Sequence, residues 1–188
     1  MKWAAFIVPV AWLGLAQARG TMLALERDRV IVQSVPRSAE ARNNLGGALL
    51  VRGEIEEAIE HLQEALRLNP NHAEAHSNLG VALARRGRTA EAIDQYREAL
   101  RLDPSQTQAY SNLGNALLQQ GQVREAIDRF EEGLSIDPDD PQARTNLAGA
   151  LAREGRIDEA ITQLERVLRL KPDFQPARRN LQILRRGQ

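Results

Sequence analysis

Apolar and polar positions along this chain follow two superposed periods. Over short windows apolar residues fall at i, i+3 and i+4, as Leu113, Ala116 and Leu117 do, which is the spacing of one buried face of an α-helix. Over long windows the whole pattern returns every 34 residues: Leu45, Leu79, Leu113 and Leu147; Gly53, Gly87, Gly121 and Gly155; Ala58, Ala92, Ala126 and Ala160; Pro36, Pro70, Pro104, Pro138 and Pro172. A fixed period of this length marks a repeat architecture, in which each unit buries its apolar face only by stacking on its neighbours.

Each unit reads as two helices. In residues 107–140 the first is expected from about Gln108 to Gln119 and stops at Gly121, since glycine enters the left-handed conformation without a Cβ penalty. The second is expected from Val123 to Ser135, with Glu125 in its first turn, where a negative charge suits the helix dipole. Ala126, Ile127, Phe130, Leu134 and Ile136 supply its buried side, and Pro138 closes the unit. Gly46, Gly80 and Gly114, with Ala148 in the fourth copy, are placed to face the partner helix, where a larger side chain would overpack the core.

Leu113-Gly114, Leu117, Gly121, Ala126, Phe130, Gly133 and Pro138, with the same columns in the other copies, resemble the tetratricopeptide repeat (TPR). The resemblance covers four repeats, 39–72, 73–106, 107–140 and 141–174. It implies an all-α fold: a TPR α-solenoid, a right-handed superhelix of antiparallel helix pairs, with capping helices at its ends. Residues 19–38 read as a degenerate N-terminal helix in which Asp28 stands in the column of Leu62, Tyr96, Phe130 and Leu164. Residues 175–188 read as a C-terminal capping helix that keeps Ala177, Asn180 and Leu181 in frame and carries Arg178, Arg179, Arg185 and Arg186. A basic docking patch is the alternative reading of that helix.

Residues 1–18 differ from everything after them. Lys2, the apolar run from Trp3 to Ala16 and the Ala16-Gln17-Ala18 site describe a signal peptide, which places the protein outside the cytoplasm, in a bacterial periplasm or secreted. An uncleaved membrane anchor is the alternative, although the run is short of the roughly 20 residues that a span needs; a buried helix of the fold is a third.

Charge narrows the partners. Lys and Arg number 25 and Asp and Glu number 25, so no general field pulls the chain toward nucleic acid. The chain has no cysteine, which excludes disulfides and thiolate metal sites. No nucleophile–base constellation and no phosphate-binding glycine loop are found, so no catalytic residue, cofactor or enzymatic activity is expected. His72 and His76 have a metal-compatible i, i+4 spacing, but their order is not that of a zinc protease and neither recurs, so no metal site is expected. His61 reads as a solvated residue on the outer side of its helix.

One polar column does recur: Asn44, Asn78, Asn112, Asn146 and Asn180. The TPR resemblance implies that this position on the first helix faces the concave groove. An asparagine amide both donates and accepts, and can therefore bond both backbone groups of one residue of an extended peptide. The alternative is that these amides hold neighbouring helices together. Ser77, Ser111, Asn115 and Arg85 complete the candidate peptide-binding set, with Asn43, Thr145, Gly47, Val81 and Gly149 around it. TPR domains that clamp a C-terminal carboxylate use Lys and Arg where this chain has Asn43, Gly47, Asn78, Gln108 and Asn112, so that mode is not expected. The expected function is a non-enzymatic adaptor holding a protein or peptide partner, with no small-molecule cofactor and with micromolar affinity. A self-associating or structural scaffold in an envelope assembly, and an accessory arm of an enzyme complex such as a glycosyltransferase, are the alternatives. N-terminal sequencing of protein purified from the exported fraction of its native cell should read from Arg19; a start at Met1 would support the anchor.

Overall fold

What stops each helix is written into the long period. The residue before each repeat-closing proline leaves the helical region: Asn69 (φ −138°, ψ 94°), Asp103 (−140°, 92°), Asp137 (−120°, 88°) and Lys171 (−132°, 82°). Proline's ring disfavours the helical region for the residue before it, so the helix ends there even before the missing N–H matters. At the other turn, Gly53, Gly87, Gly121 and Gly155 have φ of 80°, 81°, 77° and 85°. The two signals, alternating along the chain, cut it into helices of 12–14 residues from Ala39 onward.

The structure, a computed structural model, describes residues 25–186. The segment read as a signal peptide or anchor, 1–18, lies outside the described residues. No helix among the described residues is long and apolar enough to cross a membrane. The described residues are all helix and turn, and they divide into two units, one ending at Pro70 and one beginning at Asn71.

The first unit holds α1 (25–34), α2 (Ala39–Arg52) and α3 (Ile55–Leu68). Leu25 and Val32 of α1 are buried, as are Leu45 and Leu49 of α2 and Leu62 of α3. Asp28 is also buried and accepts from its neighbour Arg27 through Nε (3.2 Å) and a terminal nitrogen (3.1 Å). Arg29 bonds both Glu54 (3.3 Å) and Glu57 (3.0 Å), which ties α1 to the start of α3.

The second unit holds α4 (Ala73–Arg85), α5 (Thr89–Leu102), α6 (Thr107–Gln119), α7 (Val123–Ile136), α8 (Pro141–Arg153), α9 (Ile157–Leu170) and α10 (Gln175–Arg186). Each helix packs on the next, and α4, α6, α8 and α10 also touch one another in succession. The architecture is an all-α solenoid built from antiparallel helix pairs. The core is a line of leucines and alanines with one large side chain per repeat: Tyr96, Phe130 and Leu164 are all buried. Ile136, expected on the buried side of α7, is instead 44% exposed. It is the last residue of that helix, beyond the turn that Phe130 and Leu134 anchor. Cross-repeat ion pairs such as Arg97–Glu125 (2.8 Å) and Arg124–Glu154 (3.1 Å) lie at the surface, where each contributes at most about 1 kcal/mol.

The small-residue column sets how closely the two helices of a repeat approach. A Cβ built on Gly46 would lie 2.6 Å from Leu62, one on Gly80 2.5 Å from Tyr96, and one on Gly114 2.5 Å from Phe130. Gly149, one residue beyond that column, would meet nothing within 4 Å. Gly114→Ala should therefore destabilise by about 1–3 kcal/mol through overpacking, and the loss should shrink when Phe130→Leu is added. Gly149→Ala should stabilise by about 0.5–1 kcal/mol, because alanine suits a helix interior better than glycine. Urea denaturation of the three variants checks both signs.

Candidate functional site

The first helix of each repeat carries a stripe of positions spaced i, i+4, i+7 and i+11, which share one face. On α6 this stripe is Gln108, Asn112, Asn115 and Gln119; on α4 it is Glu74, Asn78, Val81 and Arg85; on α8 it is Gln142, Asn146, Gly149 and Arg153. All of these residues are exposed or half-buried, while Leu79, Leu113 and Leu147, one residue past each asparagine, are buried. Successive first helices touch within the second unit, so Asn78, Asn112, Asn146 and Asn180 recur at equivalent positions along it. Asn44 belongs to the first unit and is exposed at the matching position of α2.

The amides are partly engaged along their own helices. Gln108 Nε2 donates to Asn112 Oδ1 (3.2 Å), and Gln142 Nε2 donates to Asn146 Oδ1 (2.9 Å). Each glutamine thereby orients an asparagine one turn on, and the asparagine NH2 group is left as the donor. Asn115 and Arg85 are exposed and Ser77 is half-buried. Ser111 is buried, at 4% exposed. Its neighbours in the same column, Asn43 and Thr145, are buried as well, and Thr145 Oγ1 donates to the Pro141 carbonyl (2.7 Å). One residue along a helix is a rotation of 100°, enough to carry Asn43, Ser111 and Thr145 under the packing of the adjacent helix, while Ser77 of the same column is half-buried. Arg153 is also committed: it donates to the carbonyl of Leu118 at 3.3 Å and so closes the end of α6.

Beyond Asn146 the stripe opens into a hollow of about 180 Å³ between α8, α9 and α10. Ala148, Gly149, Ala152, Leu164, Ile183 and Leu184 make it apolar, and Asn180 is its one polar lining residue. Ile183 on its rim is 61% exposed. A space of roughly 150 Å³ lined by aliphatic side chains takes up a benzene ring, so this one has room for one large apolar side chain.

The histidines have structural partners. His72 is the N-cap of α4, its ring accepting from the Ala75 N–H at 3.4 Å, and His76 Nδ1 bonds Gln95 Oε1 across the helix pair at 2.8 Å. His61 is not a solvated outer residue: its side chain is 19% exposed and its Nδ1 lies 3.2 Å from an Arg42 terminal nitrogen. Arg144 and Gln163 repeat that contact at 2.7 Å. The arginines of the same column also bond the proline carbonyl six residues earlier: Arg42 to Pro36 (3.3 Å), Arg144 to Pro138, and Arg178 to Pro172 (2.7 Å). Sequence reasoning missed this lock between turn and helix pair, although Arg42, Arg144 and Arg178 carry the same long period. On α10, Arg185 bonds Glu165 (2.7 Å), so two of its four arginines brace the fourth repeat.

Family models described as tetratricopeptide repeat match residues 14–71 and 52–107, and a second pair of matches covers 83–132 and 117–182. The chain belongs to the tetratricopeptide repeat family. No curated protein matches it in sequence. Among solved structures it is similar to YrrB, a TPR protein described as having an unusual peptide-binding site, with 25% identity over 86% of this chain and 83% of that one and a TM-score of 0.73. It is similar to MamA at 27% identity over 81% and 90%, with a TM-score of 0.73. MamA from Desulfovibrio magneticus RS-1 shares the fold at 21% identity over 86% and 92%, with a TM-score of 0.74.

Burial and the Arg42 guanidinium hold the His61 ring below its ordinary value of 6.5, against the smaller opposing pull of Glu57. The unfolded chain therefore binds the proton more readily, and folding stability should fall as pH drops below about 6.5 toward the depressed folded value. His61→Gln, the residue that Gln95 and Gln163 already supply in this column, should flatten that part of the stability–pH curve. Urea midpoints measured between pH 5 and pH 8 test this.

Proposed function

We propose that this protein is a non-enzymatic adaptor that binds an extended peptide segment of a partner protein along the asparagine stripe of its second unit. The observation that carries the reading is the recurrence of Asn78, Asn112, Asn146 and Asn180, none of them buried, on first helices that touch in succession. A row of amides offers donors and acceptors at regular intervals, which suits a backbone that repeats its own N–H and C=O groups. The apolar hollow next to Asn180 supplies what a row of neutral hydrogen bonds lacks, since each of those nets only about 0.5–1.5 kcal/mol. The favoured ligand is thus an extended, largely uncharged segment with one large apolar side chain seated between α8 and α10. The likeness to YrrB, described as a TPR protein with a peptide-binding site, supports a peptide as the ligand class. We further infer that the protein acts outside the cytoplasm, on the strength of Lys2, the apolar run and the Ala16-Gln17-Ala18 site.

A random peptide library displayed on phage and selected on the immobilised protein tests the binding reading. Wild type should enrich segments with a shared apolar residue. Asn112→Ala with Asn146→Ala should lose that enrichment while keeping its urea midpoint, and Gly149→Leu should lose the apolar preference. Equal enrichment by the double variant would remove the asparagine stripe from the binding surface.

A further inference from the structure

We infer that the fourth repeat carries an oxyanion site, for a phosphate or carboxylate group, in a second hollow between α7, α8 and α9, with Arg144 and Arg166 as its cationic side chains. This hollow is a shallow, open depression of about 300 Å³, and Glu131, Ser135, Pro138, Arg144, Gln163 and the exposed Arg166 are among the residues that line it. It is separate from the asparagine stripe, because Arg144 and Asn146 are two residues apart on α8 and so about 200° apart around its axis.

The argument comes from comparing the repeats with one another. The column that holds Arg166 holds Glu64, Glu98 and Glu132 in the first three repeats. Each of those glutamates is paired with an arginine, Glu64 with Arg67 (2.7 Å), Glu98 with Arg101 (2.7 Å) and Glu132 with Arg129 (2.8 Å). In the first repeat Glu64 also feels the charge of Arg42, and in the second Glu98 feels that of His76, the residues that occupy the Arg144 column there. Carboxylate thus faces base across the helix pair in these two repeats, while the third has Tyr110 in that column. The fourth repeat reverses this: Arg166 faces Arg144, and Arg169 stands where Arg67 and Arg101 stand. Arg166 makes no hydrogen bond or ion pair among the described residues.

Arg144 is held in place for such a role. It is 6% exposed, its terminal nitrogens donate to Gln163 Oε1 and to the Pro138 carbonyl, and its buried Nε has no partner. Burial first, and then the charge of Arg166, disfavour its protonated form, with Asp139 opposing weakly. Two guanidinium groups without the carboxylate that serves the other repeats repel one another. An oxyanion between them replaces that carboxylate and accepts charge-assisted hydrogen bonds, the strong class for guanidinium. Ser135 and Gln163 add neutral polar groups, and the Glu131 carboxylate, which also lines the hollow, opposes the anion.

The test is thermal unfolding and calorimetric titration of the full chain with inorganic phosphate and, separately, acetate, each against chloride at equal ionic strength. Wild type should be stabilised by one or both beyond chloride. Arg166→Glu restores the residue of the other repeats, so it should melt higher than wild type without added anion and bind the anion at least about tenfold more weakly, as expected for losing one charge-assisted contact. Arg166→Ala should show the same loss of response without the restored pair. A response to phosphate alone assigns a phosphate group, and a response to acetate alone assigns a carboxylate such as an acidic side chain of a partner. No response in wild type, or an equal response in both variants, overturns the site.

Discussion

Close approach of two helices through a missing side chain is the constraint on which the rest of this structure depends. In three repeats a glycine on the first helix leaves the space that Leu62, Tyr96 or Phe130 of the second helix fills, and no Cβ fits there without displacing them. The fourth repeat has Ala148 in that column and Leu164 in the facing one, both fully buried. With the spacing within a pair set this way, the face of each first helix opposite its partner is fixed too. That face is where the asparagines stand. The polar stripe is therefore positioned by an apolar contact on the other side of the same helix.

A second division of labour runs through the arginines. Those in the column of Arg42, Arg144 and Arg178 hold the proline turns, bonding carbonyls that no helix satisfies. Those near the ends of second helices, such as Arg67 and Arg101, pair with glutamates three residues earlier on their own helix. With balanced charge overall, most arginine in this chain is local bracing rather than a field aimed at a partner. The exception is Arg166 of the fourth repeat, which stands where the other three repeats have that glutamate.

The fold was legible because its signals are one-dimensional. Pro138 and Gly121 act on their own backbone, and the 34-residue period places them in every copy. The third repeat shows how well this works: α6 begins one residue before the expected Gln108, and α7 ends one residue after the expected Ser135. The candidate site was legible only in part. The half-buried state of Asn112 against the full burial of Ser111 depends on a single step around the helix, and sequence spacing alone did not say on which side of that step the neighbouring helix lies. The partnership of His61 with Arg42 spans 19 residues and two helices, so no local rule reveals it. Nor does one repeat show that Arg166 is unusual. Only the structure, by placing its column opposite that of Arg144, gives the substitution a meaning.

The turn glycines carry a consequence for chirality. At Gly121 φ is 77°, and a Cβ added there would meet nothing within 4 Å. The obstacle to an L-residue at this point is thus its handedness and not its bulk. A mirror-image alanine, installed by chemical ligation, would adopt this backbone shape natively and narrow the freedom of the unfolded chain. The four copies of this turn are thus ready-made positions for D-amino acids in a semisynthetic solenoid.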